Sequence, residues 1–275
     1  MATLIPALGT CVSRMTLGER RLAERLEQKL DDDYLLWYDV PMGPKNAHPD
    51  FCVMHPRRGI LILEVKDWKL GATILQADKN NWEIMTEGGP KTVPNPLEQA
   101  RQYAHQVVDA LKRDPQLVQP DGNHQGSLAF PWSYGVVLPN ISRKQFEEAE
   151  LQHAVEPHRV ICKDEMLESV DAENLQSRLW DMFPYGMRGA ISLPQLDRVR
   201  WIMFPQVRVQ TQGALFVNDA AQDFKHAGRA GRCRHLPTPY CARHLRACAA
   251  RRVACQIRRR QFAVAPQKAQ KHWGP

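Results

Sequence analysis

Two short runs, Phe51 to Met54 and Ile60 to Lys66, joined by His55-Pro56-Arg57-Arg58-Gly59, constrain this chain more than any other feature. Both are apolar on successive residues rather than on alternate ones, so both faces of each run must be covered. The five-residue connection predicts a β-hairpin, and the double coverage places it centrally in a sheet with helices on either side. Candidate helices flank it. Thr16-Leu17-Gly18-Glu19 has capping-box spacing, and Leu22, Ala23, Leu26 and Leu30 follow at helical intervals, which predicts a helix over about 17–31. Asn95-Pro96-Leu97-Glu98 opens another, with Asn as N-cap, Pro in the first turn and Glu98 placed to close the box, running to about Arg113.

The remaining segments fill out a mixed α/β pattern. Tyr34 to Val40 is a short strand stopped by Pro41 and the turn-rich Gly43-Pro44-Lys45-Asn46. Thr73 to Gln76 and Trp82 to Met85 form a second hairpin around Asp78-Lys79-Asn80-Asn81. After a polar stretch from Asp114 to Pro131, Tyr134 to Leu138 is a strand and Arg143 to Glu150 a helical turn. Asp164 to Met182 is a helix and Ile202 to Val209 a strand. No apolar run approaches the roughly 20 residues that span a bilayer, and the opening Met1 to Val12 lacks the basic start of a signal peptide, so a cytoplasmic protein is expected. No Gly-x-x-x-x-Gly-Lys-Ser/Thr loop occurs, which leaves no case for ATP hydrolysis within these residues.

Net charge misleads until it is divided along the chain. Of 37 Lys and Arg, 13 lie from Lys225 onward with no Asp or Glu among them, leaving 24 basic against 30 acidic residues in the body. The positive total is therefore no argument for nucleic-acid binding by the whole protein. Four of the seven cysteines, Cys233, Cys241, Cys248 and Cys255, crowd the same tail, while Cys11, Cys52 and Cys162 are scattered in a body that reads as reduced. No tail pair has the Cys-x-x-Cys spacing of a zinc module. An Arg-, Ala- and Cys-rich stretch of this kind has the composition of a shifted reading frame, and residues 225–275 are expected to lack a packed core.

The chemistry concentrates at Glu64-Val65-Lys66. A one-residue spacer on a strand puts a carboxylate and an ammonium on the same face, where the first can hold Mg²⁺ and the second can orient an attacking water. Glu-x-Lys alone is expected about once in a chain of this length and is worth little. Asp50 adds the second carboxylate. If Met54 pairs with Ile60, Asp50 falls opposite Glu64 on one face; a slip of one residue carries it to the other face. Two carboxylates and a Lys at the end of apolar strands are costly unless a cation compensates them. His48 and His55 flank the Asp50 strand as candidate phosphate or metal contacts, with plain solvation as the simpler reading. Trp68 and Trp82 are candidates for stacking on bases, with a core role as the simpler reading.

Pro49-Asp50, Glu64-Val65-Lys66, Asp67-Trp68-Lys69-Leu70-Gly71 and Asn95-Pro96-Leu97-Glu98-Gln99-Ala100 together resemble the nuclease-related domain (NERD), a branch of the PD-(D/E)XK nuclease superfamily, over about Thr16 to Leu138. The resemblance implies a restriction-endonuclease-like α/β core, a mixed central sheet with helices on both faces. It also implies Mg²⁺ (or Mn²⁺) dependence and a role in DNA repair or processing, with Asp50, Glu64 and Lys66 as the catalytic set and Asp50 and Glu64 as metal ligands. Glu19 matches an acidic residue that many members place near the metal, though the capping box explains it equally well. Gln99 and Tyr103 match a Gln-x-x-x-Tyr motif of the RecB-like exonuclease branch and lie on one helical face. The stretch after Leu138 resembles the segment leading into a fused superfamily-one DNA helicase, which is implied as a partner or a lost fusion. The expected organisation is a NERD-like domain over 16–138, an extension over 139–224 and the basic tail over 225–275. The competing functional class is a non-catalytic DNA-binding or helicase-accessory module that uses the same pocket.

Overall fold

The computed structural model describes residues 1–42, 46–187, 189–205, 208–209 and 215–216. The hairpin forms from β3 (Phe51–His55) and β4 (Gly59–Val65), following β1 (Thr3–Ile5), the short helix α1 (Leu8–Cys11), α2 (Leu17–Lys29) and β2 (Leu35–Tyr38). Every residue of β4 is buried, as its unbroken apolar run requires. Met54 pairs with Ile60, the register expected from the sequence, but the ladder runs one step further to His55 and Gly59 and leaves a turn of only Pro56, Arg57 and Arg58. Gly59 makes this tighter turn feasible. Its φ is +100°, and a Cβ there would stand 2.0 Å from the Pro131 carbonyl oxygen, so no other residue fits without displacing the neighbouring backbone.

Beyond β4 the chain forms a three-stranded antiparallel sheet from β5 (Ile74–Ala77), β6 (Asn81–Thr86) and β7 (Gly89–Pro94). The third strand was not legible because Gly88, Gly89, Pro90 and Pro94 carry turn signals rather than a strand pattern. Helix α3 (Pro96–Leu111) follows, capped by the Asn95 side chain accepting from Leu97 N–H at 2.9 Å. Glu98 does not close the expected capping box. It pairs instead with Arg101, whose Nε lies 2.7 Å from Oε2. β8 (Trp132–Leu138) then pairs parallel with β4, and after α4 (Arg143–Glu148), β9 (Val160–Cys162) pairs parallel with β8. The order β1-β2-β3-β4-β8-β9 makes one six-stranded mixed sheet in which β4 is interior.

Two segments depart from the sequence reading. Where one helix was expected from Asp164 to Met182, a 3-10 turn at Lys163–Met166 precedes a separate α5 (Ala172–Trp180). Of the strand expected from Ile202 to Val209, Arg208–Val209 is strand, while Ile202 and Met203 form the last turn of α6 (Leu193–Met203). Ser192 and Gln195 form a capping box there, Pro194 sits in the first turn, and Leu196, Val199 and Met203 bury at helical spacing. A run of apolar residues shorter than a full helix does not by itself distinguish the two states.

The two faces of the sheet sort by alternation. Leu61, Leu63 and Val65 bury against Leu22, Ala23 and Leu26 of α2, while Ile60 and Ile62 bury against Ala104, Val107, Val108 and Leu111 of α3. The mixed α/β architecture with helices on both faces is thus the one expected. No helix among the described residues is long and apolar enough to cross a membrane. The compact unit spans Met1–Gln206; in a second unit, Val207–Pro275, Arg208–Val209 pairs antiparallel with Leu215–Phe216. The tail read as unpacked, 225–275, lies outside the described residues.

Candidate metal and nuclease site

The register of β3 and β4 builds the site. Asp50 stands one residue before the ladder and Glu64 one residue after the Phe51–Leu63 pair, so the two face each other across the strands. They continue the faces of Cys52, Met54, Ile60 and Ile62, on the α3 side of the sheet. The Asp50 Oδ2 accepts from Val65 N–H at 2.7 Å, which ties this carboxylate to the end of β4. Lys66 leaves β4 on the same face as Glu64. Its backbone N–H donates to the Val137 carbonyl at 2.9 Å, and its Nζ donates to Glu64 Oε1 at 2.6 Å while lying 5.7 Å from the centroid of Trp68.

Glu64 is only 2% exposed, and its second oxygen, Oε2, is buried with no hydrogen-bond partner. A buried carboxylate oxygen without a hydrogen-bond partner is unfavourable by itself and keeps lone pairs available to a cation. Burial pushes the Glu64 carboxyl above its ordinary range, opposed by the Lys66 ammonium. Burial likewise raises Asp50, reinforced by the charges of Glu64 and Glu19 and opposed by the Val65 N–H and Lys66, to about 8. Two carboxyls whose charged forms burial disfavours, side by side next to one ammonium, are an arrangement that a divalent cation stabilises.

Among the described residues no three His, Cys, Asp or Glu side chains gather closely enough to form a metal cage. The pair nevertheless fits Mg²⁺, which is commonly held by one or two carboxylates and completes its shell with water and substrate phosphate oxygens. Glu19 is not brought into a three-ligand group. Its Oε2 accepts from Thr16 N–H at 3.0 Å in the capping box and from the Tyr38 hydroxyl at 2.8 Å, and this acceptor and the burial around it raise the Tyr38 phenol. Gln99 and Tyr103 lie on α3 and bond to each other, Nε2 to the hydroxyl at 3.2 Å, with Tyr103 packed on the apolar cluster containing Ile60 and Ile62. No hydrogen bond joins either to the carboxylates among the described residues.

The other candidates resolve toward structure. Trp82 is fully buried beside Trp68, their centroids 5.4 Å apart, and is closed to bases. His48 Nδ1 sits 2.8 Å from Asp39 Oδ1, and the His55 ring packs between Tyr34 and Trp180. No catalytic or binding role for Asp67 or Asn140 was legible in the sequence, yet they clamp the site. Asp67 Oδ2 accepts from Gly18 N–H at 2.9 Å, and Asn140 Nδ2 donates to the Asp67 carbonyl at 2.9 Å. Asn140 Oδ1 also accepts from Arg21 at 2.8 Å, so the start of α2, the end of β4 and the end of β8 are fastened together beside Lys66. The only sequence signal was Asp67 directly after Glu64-Val65-Lys66.

No curated protein and no solved structure matches the chain. The family model of the nuclease-related domain matches residues 14–137, the span that holds Glu19, Asp50, Glu64, Lys66, Gln99 and Tyr103. Residues 14–137, from just before α2 to near the end of β8, thus match the nuclease-related domain family.

Proposed function

We propose that this chain hydrolyses phosphodiester bonds of DNA, in repair or processing, at a Mg²⁺ site made by Asp50 and Glu64 with Lys66 beside it. The observation that carries the reading is the unpartnered, buried Glu64 Oε2 on the same face as Asp50, in contact range of one ammonium. The chemistry that Mg²⁺ supplies when bound is neutralisation of the two carboxylates and polarisation of a phosphate oxygen. Asp50, held by Val65 N–H, would hold the cation as a carboxylate, the form that burial and the neighbouring Glu64 charge disfavour by themselves. Lys66 is fixed at Glu64 Oε1 and keeps two further N–H donors for a water or a phosphate oxygen. It orients the nucleophile and stabilises the charge that grows on phosphorus oxygens in the transition state.

In the same reading Glu19 adds negative charge at the edge of the site, and the Gln99–Tyr103 pair contacts the substrate strand. The partner implied by the resemblance is a superfamily-one DNA helicase. The test is incubation of the full chain with linear, circular and single-stranded DNA in Mg²⁺, Mn²⁺ or EDTA. Cleavage in either metal and none in EDTA is expected. Binding of DNA without cleavage under any of these conditions would refute hydrolysis and leave the non-catalytic module.

A further inference from the structure

A second chemical constellation lies at the opposite end of the central hairpin. The Pro56–Arg58 turn borders a cavity of about 770 Å³ whose lining includes Arg57, Arg58, Trp180, Phe183, Tyr185 and Met187. That volume lies within the roughly 300–1,000 Å³ typical of small-ligand sites. Its walls are fixed by the fold. The Trp180 Nε1 donates to the Tyr34 hydroxyl at 2.9 Å, and its ring lies 5.2 Å from that of Phe183. Ile191 N–H donates to the Pro56 carbonyl at 3.0 Å, which anchors the segment after α5 to the hairpin turn.

Two features of this cavity are unexplained by packing. Tyr185 is 59% exposed although it is a large aromatic beside a concave surface. Arg57 and Arg58 are both exposed, and their side chains join no ion pair and donate no hydrogen bond among the described residues. Most other arginines are paired, with Arg143 and Arg178 both on Glu165 and Arg159 on Glu156, although exposed Arg113 also lacks a side-chain partner among the described residues. Arg58 instead stands over the Trp180 ring at 5.9 Å, and no acidic residue is among the described lining residues.

Paired unsatisfied guanidiniums recognise phosphate, and exposed aromatic faces beside them recognise bases. The geometry points to a binding site for a nucleotide unit of single-stranded nucleic acid, with phosphate on Arg57 and Arg58 and a base on the aromatic wall that ends in Tyr185. This rests on the nuclease reading for the class of polymer, but the site is separate from the carboxylates. Gly59 and Glu64 are five residue steps apart along β4, about 17 Å at strand spacing. A strand must therefore exceed about five stacked nucleotides, at roughly 3.4 Å each, to engage both ends.

The test measures fluorescence anisotropy of fluorescein-labelled dT12 with the full chain in EDTA, where cleavage plays no part. The variants are Arg57→Ala/Arg58→Ala and Tyr185→Ala, with far-UV circular dichroism to verify folding. All the pocket substitutions are at exposed positions, which keeps the fold intact. About tenfold weaker binding is expected for the arginine pair and about five- to tenfold for Tyr185→Ala. Wild-type affinity in both pocket variants would overturn the site even if the wild-type chain cleaves DNA in Mg²⁺. Weakening by the arginine pair alone would also overturn it, since charge without stacking is non-specific attraction. Displacement of dT12 by dTMP at a concentration equal to that of dT12 would assign the cavity to free nucleotides and contradict the strand. Loss in both pocket variants supports the site even if the wild-type chain never cleaves, so the two readings fail independently.

Discussion

Lys66→Ala is expected to lower single-turnover DNA cleavage by about 10²–10⁴-fold while leaving DNA affinity within a few-fold of wild type. The reason lies in what its ammonium touches. Nζ donates only to Glu64 Oε1 among the described groups and otherwise stands 5.7 Å from the Trp68 ring centroid, so its removal breaks no hydrogen-bond network beyond that bond. Its other donors serve charge that develops only as phosphorus is attacked, and an interaction made only then changes the rate rather than the affinity. Cation binding should survive, because removing a positive charge that repels the metal ion offsets the lost hydrogen bond. A cleavage rate equal to wild type, in protein free of contaminating nuclease, contradicts this role for Lys66. A parallel collapse of DNA affinity would make it a binding residue instead.

Asp50→Asn is expected to stabilise the metal-free protein above neutral pH and to flatten its pH dependence. The sign follows from linkage. Asp50 is raised to about 8 in the fold from an ordinary carboxylate value near 4 when unfolded, so between those values the folded state holds the extra proton. Its contribution is thus neutral below the ordinary carboxylate range, and stability falls as pH rises toward 8 and ionisation becomes obligatory. That interval sets an upper bound of roughly 5 kcal/mol at high pH. Partial exposure of Asp50 reduces the expected gain from Asn to about 1–3 kcal/mol, since water screens the charge. Asn also keeps an oxygen to accept from Val65 N–H. Urea denaturation in EDTA from pH 5 to 9 checks this. Parallel pH profiles for the two proteins, or a variant less stable at pH 8, would show that the Asp50 charge is not strained in the fold.

The part of the fold that was legible in the sequence was the part where one physical constraint acts alone. The uninterrupted burial of β4 could be read from Ile60 to Val65, and the register of Met54 on Ile60 followed from the connection length even though the turn proved tighter. The Thr16–Glu19 capping box reads directly from spacing. β1 and β9 were missed because three-residue strands carry no periodicity, and they exist only because β2 and β8 present open edges to them. α6 was misread because its burial depends on α3 and the sheet, contacts between distant parts of the chain, although Ser192 and Gln195 offered a start signal. At the site, alternation along strands placed Asp50, Glu64 and Lys66, but the Asp67–Asn140 clamp joins residues 73 positions apart and no local pattern announces it.

Calorimetric titration of Mn²⁺ into the full chain at pH 8, with Mg²⁺ as competitor, reads the carboxylate pair directly. At that pH Asp50 is ionised in a substantial fraction of molecules, and Mn²⁺ takes the same oxygen ligands as Mg²⁺. Saturable binding of a single ion per chain, displaced by Mg²⁺ and lost in both Asp50→Asn and Glu64→Gln, is the expected result. Binding that persists unchanged in both variants, or no binding by the wild-type protein, would contradict a metal site at Asp50 and Glu64.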